Sequence, residues 1–120
     1  MTMKRLVAAL AAFSMSTAVA SVADAHARLV SSTPAANATV AAPRSLTLTF
    51  SERMAPAFSS FDVVNAAGAK AAVRTAVSED GRSITGTPTQ PLATGAYVVN
   101  WRIASSDGHR MTGSYVFTVR

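Results

Sequence analysis

No cysteine occurs among the 120 residues of the chain. A disulfide framework, a thiolate zinc site and a cysteine nucleophile are thereby excluded. Histidine is nearly as scarce: His26 and His109 are the only two, and six acidic residues stand against eleven basic ones. Aromatic side chains make up 7% of the chain, with one tryptophan. Serines are plentiful, but a serine hydrolase would have two possible histidine bases and no G-x-S-x-G elbow to present its nucleophile. Apart from Arg5 beside Lys4, the arginines fall singly, at Arg28, Arg44, Arg53, Arg74, Arg82, Arg102, Arg110 and Arg120. Nucleic-acid binding needs a clustered basic patch with interleaved aromatics, so no nucleic-acid partner is expected. The excess charge instead suits solubility or contact with an acidic partner.

A membrane-length apolar run is also missing. The stretch from Leu6 to Ala20 is apolar and rich in small residues but short for a span, and no stop-transfer flank follows it. Lys4 and Arg5 precede it, and Ala23-Asp24-Ala25 forms an A-x-A processing site. Residues 1–25 therefore read as a cleaved secretory signal, with an uncleaved anchor as the alternative. Residues 26–120 form one small domain with a single core. Lys4, Arg5 and Asp24 leave with the signal, so the formal charge drops from +5 to +4. No membrane insertion is expected after cleavage, and the domain is expected to be a monomer.

What remains is patterned for strands. Ser45-Leu46-Thr47-Leu48-Thr49-Phe50-Ser51 alternates apolar and hydroxyl side chains, the mark of a half-buried strand. Residues 28–32, 60–65, 83–87, 96–103 and 113–119 read likewise, separated by turns at Ala66-Ala67-Gly68 and Glu79-Asp80-Gly81. The alanines of Lys70 to Val77 suit a helix by periodicity, yet the segment lies between two turns and is read as strand. Ala35 to Pro43 is read as loop. Seven short strands without a convincing helix predict an all-β fold, an antiparallel Greek-key β-sandwich or barrel. Its expected core is Leu29, Leu46, Leu48, Phe50, Phe61, Val63, Ile84, Tyr97, Val99, Trp101, Phe117 and Val119.

The chemistry concentrates in Ser106-Asp107-Gly108-His109 and in His26. Residues two apart in extended chain project to one side, and Gly108 permits a tight turn, so Asp107 and His109 can converge. The same residues also read as an ordinary Asp-Gly turn beside a solvated histidine. His26 would become the first residue after cleavage. Its free α-amine and imidazole Nδ1 could then grip one metal ion, though it also reads as an incidental residue of a frayed end. Together these groups offer an amine, two imidazoles and a carboxylate. Three nitrogens and one oxygen suit the tetragonal preference of Cu(II), and zinc would accept them tetrahedrally. Glu52 is expected behind a ligand imidazole or as a weak ligand, or else as a solvated carboxylate paired with a base such as Arg53.

These residues carry a resemblance. His26-Ala27-Arg28-Leu29-Val30-Ser31-Ser32-Thr33-Pro34, Leu46-x-Leu48-x-Phe50-Ser51-Glu52, Pro91-Leu92-x-x-Gly95-x-Tyr97-x-Val99-x-Trp101-Arg102 and Ser106-Asp107-Gly108-His109 resemble the CopC family of periplasmic copper-resistance proteins. The likeness implies a cupredoxin-like, immunoglobulin-like sandwich in the periplasm that binds Cu(II) through His26, Asp107 and His109, with Glu52 nearby. It also implies an inner-membrane copper transporter of the CopD type as partner. Some members carry a second, Cu(I) site rich in methionine. Here Met1, Met3 and Met15 fall in the signal, leaving Met54 and Met111, so that site is not expected.

The expected function is thus a non-catalytic Cu(II) carrier or buffer in copper homeostasis and resistance. Its affinity would fall below neutrality as amine and imidazoles protonate. Two alternatives stand beside it: a small copper monooxygenase-like enzyme with a terminal-histidine chelate, and a metal-free immunoglobulin-like interaction module.

Overall fold

Alternation along single strands decides how this chain layers. A computed structural model describes residues 27–120; the leader read over residues 1–25, and His26, lie outside the described residues. Eight strands form: β1 (Leu29–Thr33), β2 (Thr39–Val40), β3 (Leu46–Phe50), β4 (Ser60–Asn65), β5 (Val73–Val77), β6 (Ser83–Pro88), β7 (Gly95–Ala104) and β8 (Arg110–Val119). A single turn of 3-10 helix, Pro56–Phe58, is the only helical element among the described residues.

In β3, Leu46, Leu48 and Phe50 are buried while Thr47 and Thr49 are half-buried, a direct product of the side-chain period of two. β7 repeats the pattern over ten residues, burying Tyr97, Val99, Trp101 and Ile103 on one face. The strands lie in two four-stranded sheets, in the orders β1-β3-β6-β5 and β2-β8-β7-β4. Their inner faces form one core, in which Phe50 of the first sheet meets Trp101 of the second edge-on, ring centroids 5.1 Å apart. Each fully buried leucine, isoleucine or phenylalanine stabilises the fold by about 1.5–3 kcal/mol relative to leaving it in water.

The β-sandwich stands, with one strand more than the seven expected. β2 lies in the stretch read as loop and pairs parallel to the end of β8, Thr39 opposite Thr118 and Val40 opposite Val119. Two residues carry no period, so nothing local announces such a strand. Lys70–Val77 resolves as strand from Val73 onward, paired antiparallel to β6. Eleven of the twelve expected core residues are buried; Leu29 is only half-buried. It sits on the sheet-edge strand β1, where the register slips between Leu29 and Ser31.

Candidate metal centre

β7 and β8 are joined by a tight hairpin that carries Asp107 and His109. Ser105 and His109 close it, the Ser105 N–H donating to the His109 carbonyl at 2.8 Å. Inside, the Gly108 N–H donates to the Ser105 carbonyl at 2.9 Å, and Gly108 takes φ = 90°. A three-residue loop ending in a residue of positive φ is a standard hairpin solution, and glycine fills that place without a Cβ penalty.

The turn brings its two candidate side chains together. Asp107 Oδ2 lies 2.8 Å from His109 Nδ1. Asp107 Oδ1 accepts from the His109 N–H at 3.2 Å and from the Ser105 hydroxyl. The Ser105 hydroxyl also lies 3.3 Å from the His109 carbonyl oxygen. These bonds hold the Asp107 carboxyl down at about 2, the Ser105 hydroxyl contributing most and the His109 side chain and N–H next. The Asp107 and His109 side chains are about half exposed, whereas Ser105 is only 2% exposed. A buried hydroxyl therefore fixes an accessible carboxylate.

A strap after β3 supports this hairpin from below. Met54 pairs with Ser105 in an isolated bridge, the Ala55 N–H donates to the Ala104 carbonyl at 2.8 Å, and the Ser106 N–H donates to the Arg53 carbonyl at 3.3 Å. The strap is tied to the turn before β6 by the Met54 N–H on the Gly81 carbonyl, 2.8 Å. It is tied to the start of the described chain at Ser51. There the Arg28 N–H donates to the Ser51 hydroxyl at 3.0 Å, and the Ser51 N–H donates back to the Arg28 carbonyl at 2.9 Å. Ala27 is fully buried beside it. One continuous run of backbone bonds thus links the first described residues, the strap and the Asp107–His109 hairpin at one end of the sandwich.

Of the expected site residues, Asp107 and His109 come together and His26 lies outside the described residues. Glu52 is half-buried on the strap, between the residue that holds Arg28 and the residue that holds Ser106. It makes no ion pair with Arg53 or any other base among the described residues. Among the described residues no three histidine, cysteine, aspartate or glutamate side chains gather into a group able to hold a metal ion. Ser105 and the strap backbone are absent from the sequence reading. The signal available for Ser105 was its place two residues before an aspartate, where a hydroxyl and a carboxylate meet across a turn.

Chemically, the Asp107–His109 pair offers one carboxylate oxygen and one imidazole nitrogen side by side. Two cis ligands on a square-planar ion, each bound at about 2.0 Å, stand about 2.8 Å apart. Asp107 Oδ2 and His109 Nδ1 stand at the same 2.8 Å, which is equally the ordinary length of the ion-pair contact they make with each other. Further donors have to come from beyond the described residues or from solvent.

Comparison with known proteins bears on the family and the fold. The CopC domain family model matches residues 29–120. Copper resistance protein C of Pseudomonas syringae pv. tomato is 42% identical over 109 residues, covering 85% of this chain and 86% of that one. Copper resistance protein C of Xanthomonas campestris pv. juglandis is 39% identical over 105 residues, covering 82% and 83%. Among solved structures, PcoC, described as a methionine-rich copper resistance protein from Escherichia coli, is similar with a TM-score of 0.74 at 39% identity, covering 80% of this chain and 100% of that one.

Proposed function

The chain belongs to the CopC family, and from that premise we propose that it is a periplasmic Cu(II) carrier or buffer serving copper resistance, without catalytic activity. The metal is the cargo. Its ligands are the α-amine and imidazole of His26, freed by cleavage after Ala25, together with Asp107 and His109. The observation that carries this reading is the 2.8 Å spacing of Asp107 Oδ2 and His109 Nδ1 on an accessible, rigidly tied hairpin. The bonding of Arg28 to Ser51 supports the rest, because it ties the chain immediately after His26 to the strap beneath that hairpin. A metal takes the amine and imidazoles only in their deprotonated forms, so binding strengthens with pH. The receiving partner is an inner-membrane copper transporter of the CopD type.

The test is a Cu(II) titration followed by paramagnetic resonance on protein that begins at His26. One extra residue ahead of His26 removes the α-amine and is expected to weaken binding by at least about tenfold, a change of about 1.4 kcal/mol. His109→Ala is expected to alter the nitrogen hyperfine pattern. Identical titrations for extended and native ends would overturn the chelate.

A further inference from the structure

The molecule carries a second surface that the copper reading leaves unused. At Ala71, whose N–H donates to the Val63 carbonyl at 2.8 Å, the chain leaves the edge of β4 and crosses to β5 in the opposite sheet. Toward the hairpin end a groove of about 750 Å³ opens between Ser60 of β4, Thr75 to Val77 of β5 and the 3-10 turn. Phe58 on that turn is 62% exposed, the most exposed large apolar side chain among the described residues. The Arg110 guanidinium lies 5.8 Å from the centre of its ring, within cation–π range. Arg102 also lines the groove, and among the described residues no aspartate or glutamate does.

The backbone of β5 is available on the groove side. β5 ends its sheet, and its register with β6 runs without a slip. The Ser78 N–H donates to the Ser83 carbonyl, and the Thr89 N–H donates to the Ala72 carbonyl. In an antiparallel ladder such bonded pairs alternate, so Ala72, Arg74, Ala76 and Ser78 turn their amides toward β6. Val73, Thr75 and Val77 turn theirs outward. Exposed strand edges of this kind accept a further strand.

Charge selects among possible occupants. Arg102 is already bonded to Asp62 at 3.0 Å, and Asp62 also meets Lys70 at 3.5 Å, so the surroundings of the groove stay positive. A second copy would bring a chain of the same sign, +5 in formal charge over the full sequence and +4 without residues 1–25. A flat layer of anionic headgroups would satisfy the arginines but not the outward amides of a recessed strand edge. We propose that this groove takes an extended segment of a partner protein in which acidic and apolar residues alternate, paired as a strand on β5, with a carboxylate on Arg110 and an apolar side chain against Phe58. Arg110 follows His109 directly, which sets the bound segment beside the candidate metal centre. The inference itself requires no metal.

The test is selection of random phage-displayed peptides, about twelve residues long, on the purified chain without added metal. Amide NMR with a selected peptide then maps the contact. Expected are sequences alternating Asp or Glu with apolar residues, and shifts centred on Phe58, Thr75 to Val77 and Arg110. Phe58→Ala with Arg110→Glu should weaken the peptide by at least about tenfold, while Val116→Ala with Arg44→Glu, which makes the same change in charge and trims an exposed apolar side chain elsewhere, should change it by less than about twofold. Thr75→Pro removes an outward N–H but no bond to β6, and should cost at least about fivefold even if the double variant unfolds. Peptides without acidic enrichment, shifts elsewhere, equal losses in the matched control, or no saturable peptide would each overturn the proposal. So would phosphatidylglycerol vesicles that bind through these same residues in place of any peptide.

Discussion

Gly113 lies directly opposite Trp101 in the β7–β8 ladder, and a Cβ on Gly113 would fall 2.2 Å from the indole Cζ2. The indole therefore lies flat across a position where any side chain would stand. It is met from the other sheet by Phe50 in a T-shaped contact. Trp101 is a structural pivot between the sheets, not a reacting group. Gly113→Ala is expected to destabilise the fold by about 1–3 kcal/mol through overpacking. Urea unfolding followed by fluorescence of this single tryptophan measures it; an unchanged midpoint would mean that the indole has room to move.

The leucines of neighbouring strands β3 and β1 should behave unequally. Leu48 is fully buried in the middle of β3, whereas Leu29 is half-buried on the edge strand β1. Leu48→Ala leaves a cavity that the close-packed interior cannot fill and should cost about 2–5 kcal/mol. Leu29→Ala should cost less than about 2 kcal/mol, since solvent and the strand edge can relax into the gap. Equal losses in chemical denaturation would show that the edge is packed as tightly as the centre.

Protonation of Asp107 should report on Ser105. The Asp107 carboxyl is held at about 2, below its ordinary 3.8, first by the Ser105 hydroxyl and then by His109. The folded value is the depressed one. Its contribution to the hairpin is therefore complete above the ordinary carboxylate range and is lost as pH falls through about 2. A carbon-13 titration of the side-chain carboxyl in metal-free protein should find its midpoint near 2, and Ser105→Ala should move that midpoint upward. A midpoint unmoved by Ser105→Ala would assign the depression to His109 alone.

Met54 should not be a copper ligand. It is buried under the hairpin, bridged to Ser105 through its backbone, while Met111 is half-buried against the core. Two thioethers in such places do not make an open soft-ligand site. Met54→Leu conserves volume and should change stability by less than about 1.5 kcal/mol. Competition for Cu(I) against a coloured chelator should give the same result for both proteins; weaker Cu(I) retention by the variant would reverse this assignment.

Most of the architecture was readable from residue order. The alternation of Leu46, Leu48 and Phe50, and of Tyr97, Val99 and Trp101, states both strand and buried face, because a strand's side chains switch sides at every residue. Asp107-Gly108-His109 likewise carries its own geometry, since a glycine at positive φ lets two neighbours fold toward each other. Local chemistry needs no distant help.

Three features depended on residues far apart in the chain. β2 exists because Thr39 and Val40 meet the end of β8, and two residues have no pattern of their own to declare it. Ser105 becomes part of the candidate site only because the strap from Arg53 to Ala55 buries it and leaves its hydroxyl facing Asp107. The groove beside Phe58 arises where the chain changes sheets and two strand edges are left without a neighbour. Sequence by itself determined seven of the eight strands, their inward faces and the nearness of Asp107 to His109. Tertiary structure decided which polar group is buried, which edge stays open and which loops share an end, because those follow from contacts between segments that have no local signature.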